Sequence, residues 1–150
     1  MRTRWILPLL LLATGSCGKT QPVAMTAAPD AVAASMAELR AWLPTDRDVA
    51  GYFRSAELVG AGRLAARDGA LLRIELEHVF HGRRPGETLE AIAAGGVLRQ
   101  QVGDEVIFAA NLRDGRWTLH SFCPVPGLFH RNADLARRLQ REFPDAQDSR

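Results

Sequence analysis

Apolar and polar residues follow two different periods along the chain, and the first of them is helical. A stripe with helical spacing predicts a helix over 31–43, with Asp30 as its cap and Pro44 as its stop. Its apolar positions are Val32, Met36, Leu39 and Leu43. A second, short helix is predicted to begin at the cap residue Thr45. Stripes of this kind usually face a core, so we expect both helices to dock on the domain that follows.

From Glu57 onward the apolar positions alternate with polar ones, which is the period of a half-buried β-strand. The predicted strands are 57–66, 71–80, 87–93, 106–110 and 117–121. Gly60 and Gly62 inside the first strand indicate sharp bending or a close approach of another backbone. In the second strand the alternation slips at His78 and Val79, which predicts a bulge.

The chain closes with a third helical stripe. Asn132 is the expected cap, and Leu135, Leu139 and Phe143 fall on one face. Five strands, a longer insertion before the fourth strand and a terminal helix fit a five-stranded OB-type barrel. The predicted fold class is therefore mainly β with flanking helices (α+β), with the helices N-terminal and C-terminal to the barrel.

The N-terminal stretch has the pattern of an export signal. Arg2 and Arg4 precede an apolar run from Trp5 to Ala13, and small residues lead to Cys17. The run is too short to span a bilayer, where about 20 residues are needed. A cysteine directly after such a signal is typical of a bacterial lipoprotein, so Cys17 is the predicted lipidation site.

This signal sets the predicted organisation and location of the chain. We expect a signal peptide over 1–16, a flexible tether over 17–29, an OB-like domain over 30–144 with its barrel at about 56–122, and a frayed tail over 145–150. Gly18, and not an aspartate, follows the lipidation cysteine. By resemblance to the lipoprotein sorting rule, this favours the cell envelope and, within it, the outer membrane facing the periplasm.

Net charge gives no sign of a polyanionic partner. The 19 basic and 17 acidic residues become 17 of each once Arg2 and Arg4 leave with the signal. A basic surface that binds nucleic acid is therefore not expected. The residues that end in Gly18, Lys19 and Thr20 match the phosphate-binding loop motif only weakly, and the match straddles the predicted cleavage site. No nucleotide or other cofactor is therefore predicted.

Few residues are candidates for chemistry. Glu75 and Glu77 share the polar face of a strand and are interpreted as solvated charges, not as an acid–base pair. His78 and His81 would point to opposite faces of their strand, and His120 and His130 are isolated, so no metal site is predicted. Trp117 and Phe108 are interpreted as core, and Cys123 as an unpaired thiol.

Short segments of the barrel region resemble one known superfamily. They are 55–63, 74–82, 85–87 and 103–108. Together they resemble the bacterial relatives of the domain found in tissue inhibitors of metalloproteinases and netrins (NTR-like), over about 46–122. Those inhibitors chelate the protease zinc with a free N-terminal cysteine that disulfides hold beside the barrel. An acylated Cys17, separated from the first strand by a tether and two helices, departs from that arrangement, so the inhibitory residues are not carried over.

The sequence thus predicts a lipid-anchored, non-catalytic binding module that contacts the membrane through its lipid and an unknown envelope protein through its domain. Two alternatives remain open. The first is an envelope protease inhibitor that uses the barrel surface. The second is a thiol-dependent enzyme centred on Cys123, since a lone cysteine with a histidine elsewhere is a permitted nucleophile arrangement.

Overall fold

The computed structural model describes residues 29–94, 98–121 and 125–145. Within these ranges the chain forms three helices and six strands. The helices are α1 (Pro29–Trp42), α2 (Asp46–Arg54) and α3 (Ala133–Glu142). The strands are β1 (Leu58–Asp68), β2 (Leu71–His81), β3 (Thr88–Ile92), β4 (Glu105–Arg113), β5 (Arg116–Leu119) and β6 (Leu128–His130).

The strands form a closed barrel. Their order is β1-β2-β3-β5-β4-β6, and an additional β1–β4 pairing closes the first five into a ring. All pairings are antiparallel except β3–β5, which is parallel. The predicted fold class, a five-stranded OB-type barrel with flanking helices, is confirmed.

The sequence pattern misses the sixth strand. Strand β6 is three residues long and pairs with Val106, Ile107 and Phe108 of β4. Such a run carries too few alternations to be read as a strand, and only the partner strand reveals it.

Strand β1 coils tightly because two of its glycines allow close backbone contact. A Cβ on Gly62 would overlap the carbonyl oxygen of Glu75 on β2. The β1–β2 register shifts between Ala61 and Gly62, where Glu77 has no partner, immediately before His78. The predicted close approach and the predicted bulge are both confirmed.

The core has two layers, one inside the barrel and one between the barrel and the helices. Leu58 faces the barrel interior, while its neighbour Val59 faces the helices. Residues 106–110 of β4 are fully buried because both faces of that strand are covered. This is why β4 reads as a continuous apolar run where β2 alternates.

The helices dock by their predicted stripes. Leu39 of α1 and Leu135 and Leu139 of α3 are at most 2% exposed. The Thr45 capping box is present, and Asn132 Oδ1 accepts a hydrogen bond from the Leu135 N–H at 2.8 Å. Helix α1 begins earlier than predicted, at Pro29, so Asp30 lies in its first turn and is not its cap. None of the helices in the described ranges combines the length and hydropathy needed to cross a membrane.

Candidate functional site

A chain of polar side chains centres on His120, which directly follows β5 and is 6% exposed. Its Nε2 lies 2.8 Å from the Ser55 hydroxyl, at the C-terminal end of α2. Its Nδ1 lies 2.7 Å from the Asn111 amide nitrogen on β4. The buried Tyr52 hydroxyl donates to the His120 carbonyl oxygen. Helix α2 and the β4–β5 hairpin are therefore joined through one histidine.

The neighbours of this chain decide the direction of its hydrogen bonds. Asn111 Oδ1 accepts from the Glu57 N–H at 2.9 Å, so its Nδ2 must donate to His120 Nδ1. Nε2 then carries the ring proton and donates to Ser55 Oγ. The Ser55 hydroxyl in turn donates to the Tyr52 carbonyl at 2.7 Å. The His120 ring and the Ser55 hydroxyl therefore each accept one hydrogen bond and donate another.

This direction is the opposite of the one that a serine nucleophile needs. In such a site the histidine accepts the hydroxyl proton, and a carboxylate orients the other ring nitrogen. Here His120 donates to Ser55, and an amide donates to His120. Burial, and secondarily the positive charge of Arg113, lowers the pKa of His120 and favours the neutral ring that this pattern requires. The arrangement is suited to holding α2 on the barrel, and it does not activate Ser55.

A second buried histidine lies on β6. His130 is 3% exposed, and its Nε2 lies 3.1 Å from Asp104 Oδ2. The same carboxylate oxygen accepts from the Gln101 N–H at 2.9 Å. Nδ1 of His130 is buried and has no hydrogen-bond partner among the described residues. Asp104 thus joins the turn before β4 to β6.

A large concave surface lies elsewhere, between β2, β3 and the β4–β5 hairpin. This groove has a volume of about 840 Å³. Its main lining residues are Leu71, Arg73, Thr88, Glu90, Arg116 and Trp117. Leu71 is 45% exposed, which is high for a large apolar side chain, and Trp117 is half-buried. We call this surface the β3 groove.

The prediction that Trp117 and Phe108 belong to the core is confirmed for Phe108 and holds in part for Trp117. Phe108 is fully buried, as predicted. Trp117 is half-buried, packs against the barrel core and also forms part of the groove wall. It lies near the start of the short strand β5, where the hairpin extends past the barrel core. A pattern of alternating positions does not show where a strand leaves the core.

The charges of the β3 groove are only partly matched. Arg73 Nη2 lies 3.3 Å from Glu90 Oε1, and both side chains are more than half exposed. Such an exposed pair contributes little stability. Arg116 is exposed and makes no salt bridge to a described residue. The groove therefore carries a net charge of +1 from its lining residues, Arg73, Arg116 and Glu90.

Strand β3 has a free backbone edge in this groove. It pairs with β2 along its whole length but with β5 only at Ala91 and Ile92. Two backbone hydrogen bonds lie at the two ends of the β2–β3 ladder. The Leu76 N–H donates to the Glu87 carbonyl at 2.7 Å, and the Ala93 N–H donates to the Ala70 carbonyl at 2.8 Å. Since hydrogen-bonded pairs alternate along an antiparallel ladder, Thr88 and Glu90 turn their N–H and C=O groups away from β2. The pairing of Ala91 with Trp117 engages the Glu90 carbonyl, so the Thr88 N–H and C=O and the Glu90 N–H are the groups that face the side on which β5 has diverged.

The residues singled out in the sequence have different positions. Glu75 and Glu77 are exposed, as predicted, and Glu77 pairs with Arg131. His78 packs edge-on against the Phe80 ring, and His81 stacks on the Phe143 ring, with centroids 4.6 and 4.7 Å apart. Within the described ranges, no three histidine, cysteine, aspartate or glutamate side chains are arranged to hold a metal ion.

Both cysteines lie outside the described residues. The lipidation site Cys17 and the thiol-enzyme alternative on Cys123 therefore stay predictions.

The sequence pattern does not single out Ser55, Asn111 or the free edge of β3. Ser55 and Asn111 are 65 and 9 positions from His120, and no motif spacing joins them. The chain matches no protein-family model and no curated protein sequence. The NTR-like resemblance also stays a prediction.

Proposed function

We propose that this chain is a lipid-anchored protein of the bacterial cell envelope that works as a non-catalytic binding module, with the β3 groove as its ligand surface. The observation that carries the proposal is the groove itself. It combines concavity, an exposed Leu71, a half-buried Trp117 and partly matched charge. Binding sites are typically concave and apolar, with a few polar groups that orient the ligand.

The hydrogen bonds of His120 support a non-catalytic role. Ser55, His120 and Asn111 are the described side chains whose order most resembles a hydrolase triad, and their proton directions oppose that chemistry. Each ring nitrogen of His120 already has a partner inside the protein. An incoming substrate would have to displace one of them.

The anchor is supported by the sequence from Trp5 to Cys17. Cys17→Ser should abolish incorporation of labelled fatty acid and release the protein from the membrane fraction, because acylation requires the thiol. Cys123→Ser is the matched control, since it removes the other thiol and should keep the lipid. Membrane retention of the Cys17→Ser protein would overturn the anchor.

The groove is tested by site-specific photocrosslinking in cells. Leu71 lies in the groove and Val102 outside it, and their side chains are 45% and 46% exposed. A benzophenone amino acid at position 71 should give a discrete crosslinked product that the same probe at position 102 does not give. Equal labelling from both positions, or none from position 71, would contradict the groove as the ligand surface.

A further inference from the structure

We propose that the ligand of the β3 groove is an extended polypeptide that adds to the barrel as a short strand along the free edge of β3. The inference rests on the proposed function of this groove and names its ligand class. Strand addition uses main-chain hydrogen bonds for affinity and alternate side chains for specificity. Both elements are present beside β3.

The backbone of β3 supplies the first element. The Thr88 N–H and C=O and the Glu90 N–H face the side where β5 is no longer paired, while the Glu90 carbonyl belongs to the Ala91–Trp117 pairing. The Thr88 carbonyl and the Glu90 N–H are two residues apart, which is the spacing with which one strand residue bonds a parallel neighbour. The backbone of an extended peptide presents its own N–H and C=O groups with the same two-residue repeat, so it can bond to both groups of β3.

The groove walls supply the second element. Leu71 and Ile92 are paired residues at the end of the β2–β3 ladder and share its outer face, whereas Trp117 is in register with Ala91 and belongs to the opposite, inner face. Alternate side chains of an added strand point to one face. One set of peptide side chains would therefore lie beside Leu71 on the outer face, and the other set would lie beside Trp117 on the inner face.

The charges of the groove narrow the proposed ligand class to acidic peptides. Arg116 makes no salt bridge to a described residue, while Arg73 shares Glu90. A carboxylate on the added strand would give Arg116 a partner. A basic side chain in the same place would meet two arginines and one glutamate.

The decisive experiment uses a displayed library of randomised peptides of about eight residues, selected against the purified full-length protein. The selected peptides are resynthesised with N-methyl groups on either the odd or the even backbone nitrogens. Strand addition predicts that one set loses about tenfold or more in affinity, because it loses the bonds to β3, while the other set binds normally. A ligand held by side chains alone would lose affinity equally in both sets or in neither.

Amide exchange locates the contact. Binding of the selected peptide should slow hydrogen exchange at Glu90 and Thr88, whose groups face the groove. Unchanged exchange at both residues, with the peptide bound, would overturn strand addition.

A charge variant tests the acidic preference. Arg116→Glu should weaken binding of the carboxylate-bearing peptide by at least about threefold, in keeping with one exposed ion pair. Arg47→Glu is the matched control, because Arg47 is an exposed arginine of α2 outside the groove and makes no salt bridge to a described residue. Equal weakening by both variants would contradict the assigned contact.

The failure of this inference and that of the proposed function are separable. If no peptide is selected but position 71 still crosslinks in cells, the groove binds something other than an extended peptide. If both experiments fail, the groove is not the ligand surface.

Discussion

The amide nitrogen of Asn111 lies 2.7 Å from Nδ1 of His120, although the two residues lie on opposite sides of the β4–β5 turn. Because the other end of that amide accepts from the Glu57 N–H, it cannot rotate without losing a hydrogen bond. The backbone of Glu57 therefore decides which nitrogen of a histidine carries the proton.

The first prediction concerns stability against pH. Burial lowers the pKa of His120 below its ordinary value of 6.5, and it lowers the pKa of His78 in the same direction. The unfolded chain then binds more protons than the folded one just below that value, so stability is complete above it and falls as pH falls through the folded pKa. We expect the urea midpoint to drop steadily between about pH 7 and pH 5.

His120→Gln is the control for this effect. It removes one of the two rings whose pKa folding lowers and should flatten the slope in that range. An unchanged slope would show that His120 does not titrate as inferred. The pKa values of Asp46 and Asp48 are lowered by hydrogen bonds from Arg40 and Thr45, so their own loss of stability begins only near their ordinary value of 3.8.

The second prediction reverses the proton direction. Asn111→Asp replaces the donating amide with a second carboxylate oxygen, which would accept from Nδ1–H of His120. A neighbouring carboxylate favours the charged ring, so we expect the pKa of His120 to rise above that in the natural protein. Histidine ring shifts followed by NMR against pH measure it. An unchanged or lower pKa would mean that the two side chains are not in contact.

The third prediction concerns the buried carboxylate of Asp104. Asp104→Ala removes the acceptor for both the Gln101 N–H and the His130 ring and leaves buried polar groups unpaired, so it should cost about 2–3 kcal/mol of unfolding free energy. Asp104→Asn keeps an oxygen that can accept both bonds and should cost clearly less. Chemical denaturation measures both variants, and equal losses would contradict the hydrogen-bonding role.

The fourth prediction separates two glycines. Gly51 lies inside α2, and a Cβ there would meet no atom within 4 Å, so Gly51→Ala should stabilise the protein by about 0.5–1 kcal/mol. Gly62→Ala should instead destabilise it strongly, because its Cβ would overlap the Glu75 carbonyl. Thermal unfolding of the two variants gives the comparison. Destabilisation by Gly51→Ala would show that the space beside Gly51 is not open in solution.

Much of the local structure could be read before the fold was known. The cap at Thr45 bonds to Asp48, three positions away, and the cap at Asn132 bonds to Leu135. The β4–β5 turn also follows from its residues, because Asp114 and Gly115 both adopt positive φ. Interactions of this range are set by neighbours in sequence, so composition and spacing reveal them.

The candidate site could not be predicted in the same way. Tyr52 and Ser55 meet His120 across 68 and 65 positions, and nothing in their local sequence distinguishes them from ordinary helix residues. The free edge of β3 exists because β5 pairs with it at only two positions and then diverges. Neither relationship leaves a periodic signal.

By itself, the sequence determined the helix and strand periods, the caps, the turns and the class of barrel, because each depends on residues a few positions apart or on the alternation of buried faces. The tertiary structure alone decided that β6 pairs with β4, that Trp117 lines a groove, and that His120 donates its proton to Ser55. Those outcomes depend on which distant strands close the barrel, and the hydrogen bonds form only once the backbone has brought the partners together.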